Sequence, residues 1–156
     1  MTRILNQLDH IPRPASLLEA TLEQQLIASG VIYPNIFTFS QWSRNPVDFP
    51  RALVREFVFT SKGRWRFDFA FPALKLAVEC EGAQWGVGRR CYACGQRQNG
   101  GHTSGAGYEK DCRKYSLAAI EGWCVIRATS SMINSLECLE LVESAFQARL
   151  LKLEHE

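Results

Sequence analysis

The chain has 156 residues, with 18 Lys plus Arg against 16 Asp plus Glu, six cysteines, and 46% hydrophobic residues. This suits a single domain over residues 1–156 with a real core, not a disordered chain, and no apolar run approaches the roughly 20 residues that span a bilayer. Residues 1–10 contain Arg3 and Asp9 and no apolar signal core, so a cytoplasmic protein without a membrane partner is expected, its cysteines thiols or metal ligands rather than disulfides.

The first predicted element is a helix over Leu17–Ser29. Leu18, Leu22 and Leu26 recur at helical spacing, with Ser16 placed to cap it and Gly30 to stop it. Glu19 and Glu23 share a neighbouring stripe. Residues 31–50 are aromatic and Pro-bearing without a period, which predicts an irregular excursion. Arg55–Thr60, Arg64–Phe71 and Leu74–Glu81 then read as three consecutive strands, joined by turns at Ser61–Gly63 and Pro72–Ala73.

In the second strand Trp65, Phe67, Phe69 and Phe71 alternate with Arg64, Arg66, Asp68 and Ala70. In the third, Leu74, Leu76, Val78 and Cys80 alternate with Lys75, Ala77, Glu79 and Glu81. A two-residue turn between them sets Asp68 opposite Ala77 and diagonal to Glu79.

Residues 86–105 form a Gly/Arg/Cys loop without periodicity. A helix is predicted from Tyr108 to Glu121, with Tyr108, Cys112, Tyr115 and Ala119 on one stripe, Lys110 and Lys114 on another, and Glu109 and Arg113 as an i,i+4 pair. Gly122 ends it, Trp123–Ala128 reads as a buried strand, and a closing helix runs over Ser135–Leu153. The order implies an α/β fold, a sheet flanked by helices.

Two basic stretches, Arg51–Lys75 and Arg89–Lys114, bracket the acids of the third strand. That arrangement suits a polyanionic partner, with Arg66, Arg89, Arg90 and Lys110 as candidate nucleic-acid contacts. Asp68, Glu79 and Glu81 share one polar strand face, where a cation or a proton must relieve their repulsion. Two readings stay open on the residues alone. One is a site for a divalent cation that works on a phosphodiester; the other is a solvated face balanced by Arg66 and Lys75.

The run Arg66-Phe67-Asp68-Phe69, followed by Ala77-Val78-Glu79-Cys80-Glu81-Gly82, resembles the core motif of the PD-(D/E)XK nuclease superfamily. Gly101-His102 through Lys110-Asp111, and Lys114-Tyr115 through Gly122-Trp123-Cys124-Val125-Ile126-Arg127, extend the likeness. They resemble the small endonuclease-domain proteins of phages and prophages, relatives of the very-short-patch-repair endonucleases. The likeness covers about Leu18 to Ser130.

The resemblance implies a restriction-endonuclease-like αβββαβ core with an inserted Cys-containing loop, and a Mg²⁺- or Mn²⁺-dependent DNA endonuclease leaving 3′-hydroxyl and 5′-phosphate ends. Asp68 and Glu79 would be the metal-binding carboxylates. Glu81 stands where the superfamily has Lys, so Lys114 becomes the candidate cation for the transition state, with Lys110 second. Glu19 could supply a further carboxylate, or be an ordinary helix acid. His102 could act as general base, orient phosphate or be structural. Trp42 and Trp85 either stack on bases at nicked, mismatched or branched DNA or pack within their loops.

Cys91-Tyr92-Ala93-Cys94 is half of a zinc-binding pattern, or a pair of free thiols. The patch-repair endonucleases carry a structural zinc near this part of the fold, which makes His102 and Cys112 the remaining ligands by resemblance. A histidine that ligates zinc cannot also be the base. Cys80, Cys124 and Cys138 read as small core hydrophobes. The alternative function is a catalytically weak nucleic-acid-binding protein that keeps the nuclease fold, favoured by the missing third-strand Lys. A phage-type enzyme would work in the bacterial host cytoplasm, as a monomer or a homodimer.

Overall fold

A computed structural model of the chain describes residues 15–32, 36–44, 46, 50–60, 65–81 and 105–155. Helix α1, Leu17–Ala28, starts as its sequence dictates. Ser16 Oγ accepts from the Glu19 N–H at 3.2 Å and the Glu19 carboxylate accepts from the Ser16 N–H at 3.3 Å. The reciprocal cap satisfies two donors that a helix start otherwise leaves orphaned. Beyond the C-cap Ser29, Gly30 takes a left-handed φ of 75°, a conformation that a residue without Cβ adopts at no steric cost.

The excursion over residues 31–50 is not wholly irregular. It contains β1, Ile36–Thr38, and α2, Phe39–Arg44. A three-residue strand is too short to display a period, so its pattern is invisible in sequence. Strand β1 runs parallel to β2, Leu53–Val58, with Ile36 beside Leu53.

Strands β2, β3 (Arg66–Phe71) and β4 (Leu76–Glu81) are antiparallel neighbours. The β3–β4 link is a 3₁₀ turn over Pro72–Leu74, closed by Lys75 at φ 47°. It is two residues longer than the expected Pro72–Ala73 turn. Ala77 therefore pairs with Ala70 rather than Asp68. A shift of two keeps the parity of the pleat, so the third strand's division into two faces survives the correction. The expected turn at Ser61–Gly63 lies outside the described residues.

Helix α3, Gly105–Ile120, leads to β5, Cys124–Thr129, which runs parallel to β4. Gly122 makes the intervening turn at φ 80°. The expected closing helix over Ser135–Leu153 is present as the last element, and a short helix that was not expected precedes it. A short α4, Ser130–Asn134, springs directly from β5 because Thr129 caps it, accepting from the Met132 N–H. Leu136 at φ 68° then redirects the chain into α5, Glu137–Glu154.

The result is an α/β fold built on a five-stranded mixed open sheet, ordered β1-β2-β3-β4-β5. Two apolar clusters cover its faces. On one side Leu22, Leu26, Phe69, Phe71, Val78, Ile133, Val142 and Phe146 join α1, α4 and α5 to the sheet. On the other, Val54, Phe57, Phe67, Ala77 and Ala118 pack with the half-buried Phe39, Trp42 and Trp123 beneath α2 and α3. Fully burying one such aromatic or aliphatic side chain contributes about 1.5–3 kcal/mol. Cys138 is fully buried in the first cluster, and Cys80 and Cys124 pack against it at half burial. Among the described residues no helix is long and apolar enough to cross a membrane.

Candidate active site

Strict alternation fails at Asp68. The β2–β3 ladder pairs Arg55 with Phe69 and Phe57 with Phe67 but skips Glu56 and Asp68, where Glu56 adopts a left-handed φ of 52°. The β3–β4 ladder likewise runs only from Phe71–Leu76 to Phe69–Val78. Asp68 is thus outside both ladders, and its Oδ2 accepts instead from the Cys80 N–H at 2.8 Å. The break also turns Phe67 toward the α3 side while Phe69 and Phe71 face α1 and α5, which corrects the expected single face for all three. Backbone held at positive φ by a non-glycine residue costs on the order of 1–2 kcal/mol. The strain sits beside the residue expected to do chemistry.

Three glutamates are buried in the described structure, Glu19, Glu79 and Glu81, and each meets a cation from another element. Lys114 on α3 donates to Glu79 Oε1 at 2.5 Å. Arg127 on β5 holds Glu81 Oε1 through Nε at 2.8 Å and its terminal nitrogen at 2.7 Å, and the Tyr115 hydroxyl reaches the same oxygen at 3.3 Å. Arg55 on β2 lies between Glu19, at 3.5 Å, and Glu23, at 3.7 Å.

Burial raises the Glu79 carboxyl to about 7 in spite of Lys114, and the charges of Asp68 and Glu81 push in the same direction. Burial and the neighbouring glutamates likewise push the Tyr115 phenol upward, so it stays protonated and can donate. Arg127 stacks its guanidinium on the Tyr115 ring, 4.4 Å from the centroid, and also approaches Asp111 at 3.7 Å.

Helix α3 presents this chemistry through Asp111, Lys114, Tyr115 and Ala118, an i, i+3, i+4, i+7 stripe. The predicted stripe of Tyr108, Cys112, Tyr115 and Ala119 is out of phase: Tyr108, Cys112 and Ala119 are exposed. The inward face is charged, and an apolar pattern cannot reveal it. The Glu109–Arg113 pair does form on the outer surface.

The expected site residues therefore separate. Asp68, Glu79 and Lys114 come together. Glu81 shares their face of β4 but is engaged by Arg127. Glu19 on α1 is tied to its own cap and to Arg55, and its charge, like those of Asp68 and Glu79, acts on the Cys80 thiol of β4. Among the described residues no three His, Cys, Asp or Glu side chains converge to hold a metal ion, while the charges of both Asp68 and Glu81 act on Glu79. Arg66 is half-exposed and paired with Glu56 at 3.1 Å, and Lys110 lies 5.8 Å over the Trp65 ring. His102, Cys91, Cys94, Arg89, Arg90 and Trp85 lie outside the described residues. Of the expected zinc ligands only Cys112 is described, a free thiol exposed on α3.

Trp42 packs its ring edge-on against Phe57, with centroids 5.1 Å apart. Arg127, Tyr115 and Asp111 escaped the sequence reading. One signal was available: Arg127 is the sole charge in the apolar run Trp123–Ala128, and a charge in a buried strand needs a partner.

The donor chemistry of Asp68 and Glu79 suits a hard divalent cation. Both groups offer carboxylate oxygens, and Glu79 sits where burial and two neighbouring acids leave negative charge under-compensated. No family model matches this chain, nor does any curated protein or solved structure.

Proposed function

We propose that the chain is a metal-dependent DNA endonuclease that hydrolyses phosphodiester bonds, with Asp68 and Glu79 as carboxylate ligands and Lys114 as the cation facing the scissile phosphate. The observation that carries the reading is the Asp68–Glu79 pair at the break in the ladders, with Lys114 on Glu79. Its sequence context, Arg66-Phe67-Asp68-Phe69 and Glu79-Cys80-Glu81, resembles the PD-(D/E)XK motif. With β1 and α2 set aside, which fall between α1 and β2, the succession α1, β2, β3, β4, α3, β5 supports the αβββαβ order that this resemblance implies.

A bound Mg²⁺ or Mn²⁺ would polarise the phosphodiester and acidify water. The rest falls to the protein. The Cys80 N–H fixes one Asp68 oxygen and so orients the carboxylate. Lys114, moving from Glu79 to a phosphate oxygen, would neutralise charge that develops in the transition state. Arg127 and Tyr115 hold Glu81 away from that phosphate and lessen its repulsion.

The test compares plasmid and branched DNA incubated with Mg²⁺ or Mn²⁺, using wild type, Asp68→Asn and Glu79→Gln. Cleavage should fall by at least about a hundredfold in both variants; equal cutting by all three sinks the assignment. A second reading is a nucleic-acid-binding protein on the same fold. The direct Lys114–Glu79 ion pair favours it, since it already engages one of the two carboxylates. Wild-type binding without cleavage would select that reading.

A further inference from the structure

Two clefts open side by side and share Ala73 and Lys75, at the β3–β4 turn. The first, about 380 Å³, is lined by Trp42, Phe57, Phe59 and Trp123. Phe57 is buried beneath, whereas the other three rings are half-buried. Phe57 lies 5.1 Å from Trp42 and 5.3 Å from Trp123, so the rings form one continuous wall. Among the described residues the Trp42 indole N–H, out of solvent, meets no acceptor, which is uncommon for a buried tryptophan.

The second cleft, about 310 Å³, gathers Lys75, Arg149 and Lys152. Lys75 donates to the Glu121 carbonyl at 2.7 Å and Arg149 to the Gly122 carbonyl at 3.3 Å, so both are anchored on the α3–β5 turn. Each keeps further N–H donors for a ligand. Among the described lining residues of both clefts three cations stand against one acid, Glu121.

Aromatic faces beside anchored cations match one polymer chemistry. Unpaired bases offer π-faces to stack, and their backbone offers phosphates to the cations; a duplex hides its base faces. The aromatic wall also continues toward the candidate active site. Trp123 lies 5.0 Å from Phe67, whose ring carries Lys114 Nζ 5.5 Å from its centroid. Strand β4 separates Lys75 from Glu81, a span on the order of 20 Å at the rise of an extended strand.

We infer that the double cleft holds an unpaired DNA strand, its bases against Trp42, Phe59 and Trp123 and its phosphates on Lys75, Arg149 and Lys152. The substrate class is then duplex DNA that carries a single-stranded tail. This deepens the endonuclease reading and rests on it only for the chemistry at Asp68; the binding itself needs no metal.

The experiment measures fluorescence anisotropy in EDTA with a blunt duplex, the same duplex bearing an oligothymidine tail, and oligothymidine alone. Wild type should bind the tailed duplex roughly tenfold more tightly than the blunt one, with affinity falling as salt rises. Lys152→Glu combined with Arg149→Gln should bring the two affinities together. Trp42→Leu, which keeps apolar packing, should do the same with the circular dichroism spectrum unchanged. Equal wild-type affinity for blunt and tailed duplex overturns the inference, as does a preference that survives both variants. Cleavage in Mg²⁺ is scored separately. Tail preference without cleavage removes the nuclease reading and leaves the cleft; cleavage without tail preference does the reverse.

Discussion

Lys114 Nζ lies 2.5 Å from Glu79 Oε1, with side-chain exposures of 13% and 11%. Ion pairs so far from water seldom stabilise a fold, because desolvation offsets most of the attraction. On the proposed function, the pair serves the site rather than the stability of the fold. Lys114→Met should lower DNA cleavage by about a hundredfold or more while leaving the protein folded. Glu79 left without its cation escapes the penalty of a bare buried charge by taking up a proton. Because Lys114 lowers the Glu79 pKa, its removal should move the carboxyl's NMR titration midpoint above that of wild type. A midpoint that does not move would mean the pair is not formed in solution.

Glu79 also sets a pH dependence for the metal-free protein. Its pKa rises from 4.5 to about 7 on folding, burial being the largest cause. The folded state thus holds a proton that the unfolded chain has already released. The resulting stabilisation is fully present below pH 4.5 and is lost as pH rises through about 7. Urea unfolding of the metal-free protein should show a loss on the order of 3 kcal/mol from this group across that interval. Glu79→Gln should lack that component of the slope, and an identical slope in both proteins would refute the assignment.

What the sequence made legible is what local chemistry decides. The α1 start was readable because Ser16 and Glu19 satisfy each other within one turn. The faces of β4 were readable because parity survives a two-residue error in turn length. The break at Asp68 was not, since nothing marks Glu56 as a residue that will adopt φ 52°; only its surroundings in the sheet impose that. The inward face of α3 was misread for a related reason. Asp111 and Lys114 look like a solvent face, and Tyr115 like part of an apolar stripe, until Glu79, Glu81 and Arg127 arrive from β4 and β5 to engage them. Non-local partners, not propensity, decide both features.

Leu136 offers a test of backbone strain away from the site. It holds φ 68° at the N-cap of α5, makes no side-chain cap bond and is 47% exposed. Glycine reaches that conformation without the Cβ clash, and glycine is acceptable at an N-cap. The relief, on the order of 1–2 kcal/mol, exceeds the entropy that glycine adds to the unfolded chain. Leu136→Gly should therefore stabilise the protein by about 0.5–1 kcal/mol in urea unfolding, with cleavage unchanged. A loss of stability would show that Leu136 contributes packing worth more than the strain.

Arg127 and Glu81 should behave as one unit. Glu81 is nearly buried and takes two nitrogens of Arg127 together with the Tyr115 hydroxyl on a single oxygen. Arg127→Leu removes the cation from that carboxylate and leaves the Tyr115 hydroxyl among its contacts. Full burial of both partners would cost about 3–5 kcal/mol, but Arg127 is 41% exposed, so about 2 kcal/mol is expected. Glu81→Gln keeps the shape and can still accept from Arg127 and Tyr115, so it should cost less. The double variant should be more stable than the sum of the two single losses predicts, because no buried charge then lacks its cation. A thermodynamic cycle built from urea unfolding of the four proteins reads this coupling directly, on the order of 1 kcal/mol. Strict additivity would show that Arg127 supports the fold through its stacking on Tyr115 rather than through Glu81.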